Sequence, residues 1–187
     1  MHANEKLDIL YPEKRWWKRD DMNIKRWGDR LFFFAAIAIV LAAYLCSRFF
    51  FQLLLIQGDS MLPSYHNMQI VCLNKVNRTF ELGDVIAFRC DGLNAVLVKR
   101  VAAVPGDMVQ ILDGTLFVNG EISPIYPEKG CFVNAGILSE AATLKADEYL
   151  AIGDNYTESR DSRDELVGLV KQSSILGKVV AGNRRGT

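Results

Sequence analysis

The alternation of apolar and polar positions divides the chain into three stretches with different periods. Residues 1–30 are polar and basic, with Trp16, Trp17 and Trp27 among the charges. From Leu31 to Ser47 no charged residue interrupts an apolar run, and after Arg48 the segment Phe49-Phe50-Phe51-Gln52-Leu53-Leu54-Leu55 keeps the same character. That run approaches the ~17–25 residues with which a helix crosses a bilayer core. A helix apolar on every side would otherwise need a larger domain to wrap it than the remainder of this chain offers. The pattern therefore predicts a polar tail over 1–30, a transmembrane anchor over 31–55 and a separate domain over 56–187.

Beyond Pro63 the period shortens to that of strands. Gln69 to Leu73, Val85 to Phe88, Ala95 to Val101, Met108 to Leu112, Thr115 to Val118, Glu148 to Ile152 and Ile175 to Ala181 are short apolar or β-branched runs. Asp113-Gly114 and Asn119-Gly120 bound several of them, and such dipeptides are strong hairpin signals. Residues 121–146 are less regular and read as an insertion or loop region. The domain is expected to be mainly β, built of short strands and tight turns.

Charge adds an orientation. Lys14, Arg15, Lys18, Arg19, Lys25, Arg26 and Arg30 crowd the N-terminal side of the apolar run. The positive-inside rule then keeps the N-terminus in the cytoplasm and sends the domain to the outer side of the cell membrane as a single-pass protein. A cleaved signal peptide fits less well, because the polar segment is too long and the apolar part exceeds roughly 7–15 residues. Over the 187 residues the 22 Lys and Arg balance the 22 Asp and Glu, leaving no basic excess for a nucleic-acid partner. The four cysteines, Cys46, Cys72, Cys90 and Cys131, have neither zinc-type nor dense disulfide spacing and read as buried or free thiols, with a Cys72–Cys90 bridge the alternative. With only two histidines, His2 and His66, a histidine metal site is not expected, and no metal or organic cofactor is called for.

The candidate chemistry lies directly after the apolar run, in Gln57-Gly58-Asp59-Ser60-Met61-Leu62-Pro63-Ser64. Gly58 frees the backbone before Ser60 and Pro63 stiffens the exit. A serine held in such a turn suits nucleophilic attack, with its own amide facing the oxyanion. Taken alone, these residues favour an ordinary loop. A nucleophile also needs a base. His66 is close in sequence but lacks an evident carboxylate to orient it, and reads as a surface residue. Lys99 stands in a strand whose alternation groups Leu97, Lys99 and Val101 on one face and Val96, Val98 and Arg100 on the other. A buried ammonium is costly to keep charged, and burial lowers a lysine pKa from ~10.4 by up to ~3–5 units. A neutral amine then serves as general base for a serine. The competing reading makes Lys99 and Arg100 exposed edge charges, both turned outward by a bulge.

With Ser60 and Lys99 in hand, the sequence resembles the bacterial type I signal peptidases, over about Ile56 to Gly177. Gly58-Asp59-Ser60-Met61-Leu62-Pro63 resembles the nucleophile block of that family and Gly83-Asp84-Val85-Ile86-Ala87-Phe88 the strand block after it. Val98-Lys99-Arg100-Val101 with Pro105-Gly106-Asp107 is similar to the block of the lysine base. Gly153-Asp154-Asn155 with Ser159, Asp161, Ser162 and Arg163 resembles the last block.

The resemblance implies a signal-peptidase-like β-sheet or barrel domain behind one N-terminal transmembrane helix. It also implies a membrane-bound serine endopeptidase that cleaves exported preproteins after small residues, commonly alanine at the first and third positions before the cut. Ser60 would attack and Lys99 accept its proton. Ser159 would hydrogen-bond the Lys99 amine, and Asp161 and Arg163 would form a structural ion pair. Met61, Val96, Leu97 and Val98 would line shallow pockets beside a strand edge to which an extended substrate adds.

Four positions depart from the family pattern. Gly58 offers no hydroxyl for the oxyanion, Ser64-Tyr65 replaces a frequent Thr-Leu, and Tyr156 replaces a frequent arginine. Two other readings compete: a catalytically silent membrane-anchored binding module on the same fold, and a self-processing Ser-Lys protease.

Overall fold

A computed structural model describes residues 17–182, with side chains described over 30–180. The part of the basic tail before Trp17 lies outside the described residues. The chain divides into two units after Ser47.

The N-terminal unit is dominated by one helix, α1 (Trp17–Phe50). Helix therefore begins well inside the stretch assigned to the tail. Within it Arg30–Phe50 is long and apolar enough to cross a membrane, with a mean hydropathy of 2.1 and none of the window buried against protein. Phe32, Phe33, Ile39, Val40 and Leu45 are all exposed. A core helix would have its apolar side covered, and this one does not.

The expected anchor over 31–55 is too long by one strand. Phe51–Leu55 forms β1, which pairs antiparallel with β2 (Ile70–Asn74) from Phe51↔Asn74 to Leu55↔Ile70. Phe and Leu serve helix and strand alike, so an unbroken apolar run conceals the change of period. Pairing with β2 decides the matter, since every second residue of β1 is then half-buried while Phe51, Leu53 and Leu55 stay exposed.

The second unit is mainly β, as the sequence predicts. Its strands continue with β3 (Val85–Cys90), β4 (Ala95–Ala103), β5 (Met108–Leu112), β6 (Thr115–Val118), β7 (Glu121–Ile122), β8 (Ala142–Thr143), β9 (Glu148–Ile152), β10 (Val170–Lys171) and β11 (Ile175–Gly182). They form a seven-stranded sheet in the order β1-β2-β11-β3-β4-β9-β10 and a four-stranded sheet in the order β7-β6-β5-β8. All recorded pairings are antiparallel. The two turn dipeptides act as expected. Asp113 and Gly114 take φ of 46° and 70° between β5 and β6, and Asn119 and Gly120 take 53° and 84° between β6 and β7. Both central residues of a two-residue hairpin turn need positive φ, which Asn, Asp and Gly tolerate best.

Strand β4 ties the core together. Val98 packs with Ile56, Met61, Val71, Leu73 and Val179, whereas Val101 packs with Phe80, Ile86, Phe88 and Ile175. Ala102 and Ala103 join Val109, Ile111, Leu116 and Leu150 in a third cluster. Both faces of β4 are thus covered, and no bulge turns its charges outward before Val101.

Residues 121–146 are irregular but are not a loose insertion. They supply β7, β8 and a 3₁₀ turn at Gly136–Ser139, and they bury Tyr126, Phe132, Leu138 and Leu144 in the third cluster. The Tyr126 hydroxyl donates to the Ile152 carbonyl at 3.1 Å, at the end of β9. All four cysteines are free, so no Cys72–Cys90 bridge is made.

Tyr126→Phe should lower stability by about 1 kcal/mol through the lost buried hydrogen bond. Tyr126→Ala should lower it by about 3–5 kcal/mol, as for other large aromatic truncations. Urea unfolding followed by circular dichroism checks both, and equal midpoints for Tyr126→Ala and wild type would show that this segment is not part of the core.

Candidate active site

Ser60 follows β1 in a tight turn. The Leu62 N–H donates to the Asp59 carbonyl at 3.1 Å and the Tyr65 N–H to the Met61 carbonyl at 2.9 Å. Gly58 takes φ of 89°, and its N–H is held by Asn67 Oδ1 at 3.0 Å. Met61 is 1% exposed within the cluster of Ile56, Val71 and Val98, so the residue after Ser60 pegs the turn into the core. Ser60 itself remains half-exposed.

Lys99 comes to this turn from the middle of β4, opposite the fully buried Ile86. Its side chain is 3% exposed, and its Nζ lies 2.6 Å from Ser60 Oγ. Burial pushes the Lys99 amine down from 10.5 to about 8. The carboxylates of Asp161 and Asp154 pull it upward and the Arg163 guanidinium pulls it downward, but loss of hydration is the largest effect. His66 is exposed, and Lys99 holds the position beside the serine hydroxyl.

The loop after β9 closes the other side. Asp161 and Arg163 form a buried two-pronged ion pair, Nε to Oδ1 at 2.8 Å and Nη2 to Oδ2 at 2.9 Å. Asp161 Oδ2 also accepts the Gly153 N–H at 3.1 Å, while Arg163 Nη2 donates to the carbonyls of Tyr156 and Ser159. The Arg163 guanidinium lies 5.0 Å over the Phe132 ring, which covers its face. The pair thus fixes the loop to the end of β9 rather than touching Ser60.

Ser159 departs from expectation. Its Oγ is buried without a hydrogen-bond partner, so the anticipated bond to Lys99 is not made. It lies instead against Gly153, where a Cβ would collide with Ser159 Oγ and stand 2.5 Å from the Ser60 carbonyl oxygen. Only a residue without a side chain lets the loop approach the Ser60 backbone this closely.

The expected lining residues also divide. Val98 is buried in the Met61 cluster and Val96, on the same face by alternation, is 42% exposed. Leu97 packs on the opposite side with the Phe80 and Phe88 cluster, so it does not share a pocket with them.

One ion pair had no forecast in the sequence. Arg100 grips Asp154 with Nε to Oδ1 at 2.7 Å and Nη2 to Oδ2 at 2.6 Å, and also donates to the Gly83 carbonyl and to Ser64 Oγ. The only hint was a second cation beside Lys99. A partner 54 residues away in sequence leaves no periodic signal.

A buried amine against a serine hydroxyl, without histidine, is the arrangement of a Ser-Lys hydrolase. The family model described as signal peptidase, peptidase S26, matches residues 25–182. The chain belongs to this signal peptidase family.

Among its relatives in the family, Signal peptidase I of Bacillus licheniformis is 33% identical over 153 residues, covering 76% of this chain and 82% of that protein. Signal peptidase I T of Bacillus subtilis (strain 168) is 32% identical over 161 residues, covering 81% and 80%. The solved structure of a signal peptidase I from Enterococcus faecalis aligns over 55% of this chain and 97% of its own, with a TM-score of 0.42 and 25% identity.

In a signal peptidase built this way, Gly153→Ala should lower turnover roughly 100-fold, the usual consequence of displacing a reacting group by about 1 Å. Cleavage kinetics together with circular dichroism test this. Wild-type turnover in a folded Gly153→Ala variant would mean that the close approach has no bearing on the site.

Proposed function

We propose that this chain is a membrane-anchored serine endopeptidase that removes signal peptides from exported preproteins, with Ser60 as nucleophile and Lys99 as general base. The observation that carries the reading is the 2.6 Å approach of a buried lysine amine to a serine hydroxyl.

In the reactive state the Lys99 amine is neutral and accepts the Ser60 proton as Oγ bonds to the scissile carbonyl carbon. The carbonyl π electrons move to its oxygen, and the Ser60 N–H faces that oxyanion. On collapse the C–N bond breaks, and the Lys99 ammonium returns its proton to the departing amine of the mature protein. Water, deprotonated by the same amine, then attacks the acyl-enzyme. The carbon–Oγ bond breaks as Ser60 Oγ takes back the proton held by Lys99, and the new carboxyl of the signal peptide loses its remaining proton to solvent.

The substrate class follows from the strand edge. On one side β4 pairs with β3 along Ala95–Arg100, whereas β9 takes up pairing on the other only from Arg100 onward. The free edge beside Val96 and Val98 suits an extended peptide, bound through main-chain hydrogen bonds. In such a peptide the first and third residues before the cut point the same way. With Met61 and Val98 already buried, little depth remains, which favours alanine-sized side chains.

The Arg30–Phe50 helix suits a single bilayer anchor, and the basic residues before it favour a cytoplasmic N-terminus with the peptidase domain outside. Ser60 then follows the anchor by only a short β1 segment, near the surface where a translocated cleavage site emerges. No nucleic-acid partner is part of this reading.

In detergent, wild type should cleave a preprotein, and Ser60→Ala and Lys99→Ala should each lose roughly 10⁴-fold or more. His66→Ala should stay active. Below about 8 the Lys99 amine carries its proton and cannot accept another. Cleavage should therefore rise with pH through that value to an alkaline plateau. A fully active Lys99→Ala variant, or a profile flat across that range, would overturn the assignment.

A further inference from the structure

Ser60 has no side-chain helper for the oxyanion on its N-terminal side. Gly58 has no side chain, and its N–H is already taken by Asn67 Oδ1. The Ser60 N–H makes no hydrogen bond among the described residues. That donor is free, but its direction has to be set by the rest of the peptide group to which it belongs.

The same peptide group carries the Asp59 carbonyl. The bond between residues 59 and 60 is trans, the one cis bond among the described residues being Leu62–Pro63. In a planar trans peptide the C=O and N–H point in opposite directions, so whatever holds the Asp59 oxygen aims the Ser60 N–H. Two donors hold it: the Leu62 N–H at 3.1 Å and Asn155 Nδ2 at 3.2 Å. The backbone N–H of Asn155 holds the next carbonyl, that of Ser60, at 3.1 Å. Asn155 therefore grips the peptide groups on both sides of the nucleophile.

Its own amide is held in turn. Thr157 Oγ1 donates to Asn155 Oδ1 at 3.0 Å, which puts the NH₂ end toward Asp59. Donation into the Asp59 carbonyl also polarises the peptide and strengthens its N–H as a donor, by about 10–30%.

We propose that Asn155 is a positioning residue for oxyanion stabilisation, acting through the Asp59–Ser60 peptide, with Thr157 fixing its amide. The proposal rests on the reading of Ser60 as nucleophile. It assigns to the backbone of this chain, with an asparagine behind it, the task that no side chain at residue 58 performs. Asn155 touches neither the amine of Lys99 nor the free edge of β4 in any recorded hydrogen bond, so its loss should leave substrate binding and the pH profile in place.

The full chain in detergent tests this with Asn155→Ala and Thr157→Val. Losing an oxyanion donor outright costs about 10²–10³-fold in kcat, so losing its orienting bond should cost about 10–100-fold, with KM and the midpoint of the pH profile unchanged. Thr157→Val should fall in the same direction by less. A peptide aldehyde separates positioning from folding, because it adds to Ser60 Oγ and forms an oxyanion-like oxygen, whereas the matching peptide amide binds without reaction. Aldehyde affinity should drop by the same factor as kcat/KM, with amide affinity unchanged. Unchanged aldehyde affinity in Asn155→Ala, or equal losses for aldehyde and amide, would overturn the proposal. Ser60→Ala in parallel keeps the two readings apart. Full activity there would sink the nucleophile assignment itself, whereas an inactive Ser60→Ala beside an Asn155→Ala of wild-type kcat would sink only the role of Asn155.

Discussion

The Lys99 amine is held out of water against the Ser60 hydroxyl, and much of the domain is arranged to keep it there. Its fall from 10.5 to about 8 corresponds to about 3 kcal/mol between its protonated and neutral forms. The sign of the cost is definite. Below about 8 both folded and unfolded chains carry the proton, and the folded state bears the whole penalty. Between about 8 and 10.5 the unfolded chain binds the proton and the folded one does not, so stability rises with pH. Above 10.5 neither state holds it, and the penalty is gone. A cost of this size against a usual total stability of about 5–15 kcal/mol must be offset by packing elsewhere.

That offset comes from β4 and its neighbours. Clusters on both faces of the strand exclude water from the lysine stem, and Met61 fixes the nucleophile's turn to one of them. The Asp161–Arg163 pair adds no net charge and uses Asp161 Oδ2 to hold the Gly153 N–H. Gly153 in turn admits the Ser159 side chain and the Ser60 carbonyl to the same small space. Arg100 and Asp154 form a second brace from the residue next to Lys99. The Ser60–Lys99 contact is thus flanked by two ion pairs, Asp161–Arg163 and Arg100–Asp154.

How much of this could be read in the sequence depended on whether the signal was local. Strands β5 and β6 were placed to the residue, because Asp113-Gly114 and Asn119-Gly120 carry their turn geometry within two positions, and β9 was placed by its short apolar run ending at Gly153. Turn residues and strand alternation made Ser60 and Lys99 candidates only, and the ordered blocks of family resemblance singled them out. The boundary at Phe50 and Phe51 was not legible, since Phe and Leu suit helix and strand equally and only pairing with β2 separates them. Residues 121–146 read as an insertion because their burial is spaced irregularly; Tyr126, Phe132 and Leu138 meet the core through tertiary folding alone. The Arg100–Asp154 pair and the Asn155 contacts join distant segments through single atoms, and periodicity contains no trace of such bonds. Leu97 was grouped with Val96 and Val98 as a lining residue even though alternation turns it away from them.

The chemistry proposed for Ser60 depends most directly on the protonation state of Lys99. Nuclear magnetic resonance of the detergent-solubilised protein, labelled with ¹³C at lysine Cε, reads that state without any substrate. The Lys99 resonance, assigned by its loss in Lys99→Arg, should titrate at about 8. A Lys99 resonance titrating at the ordinary lysine value of ~10.4 would contradict the claim that burial supplies the base.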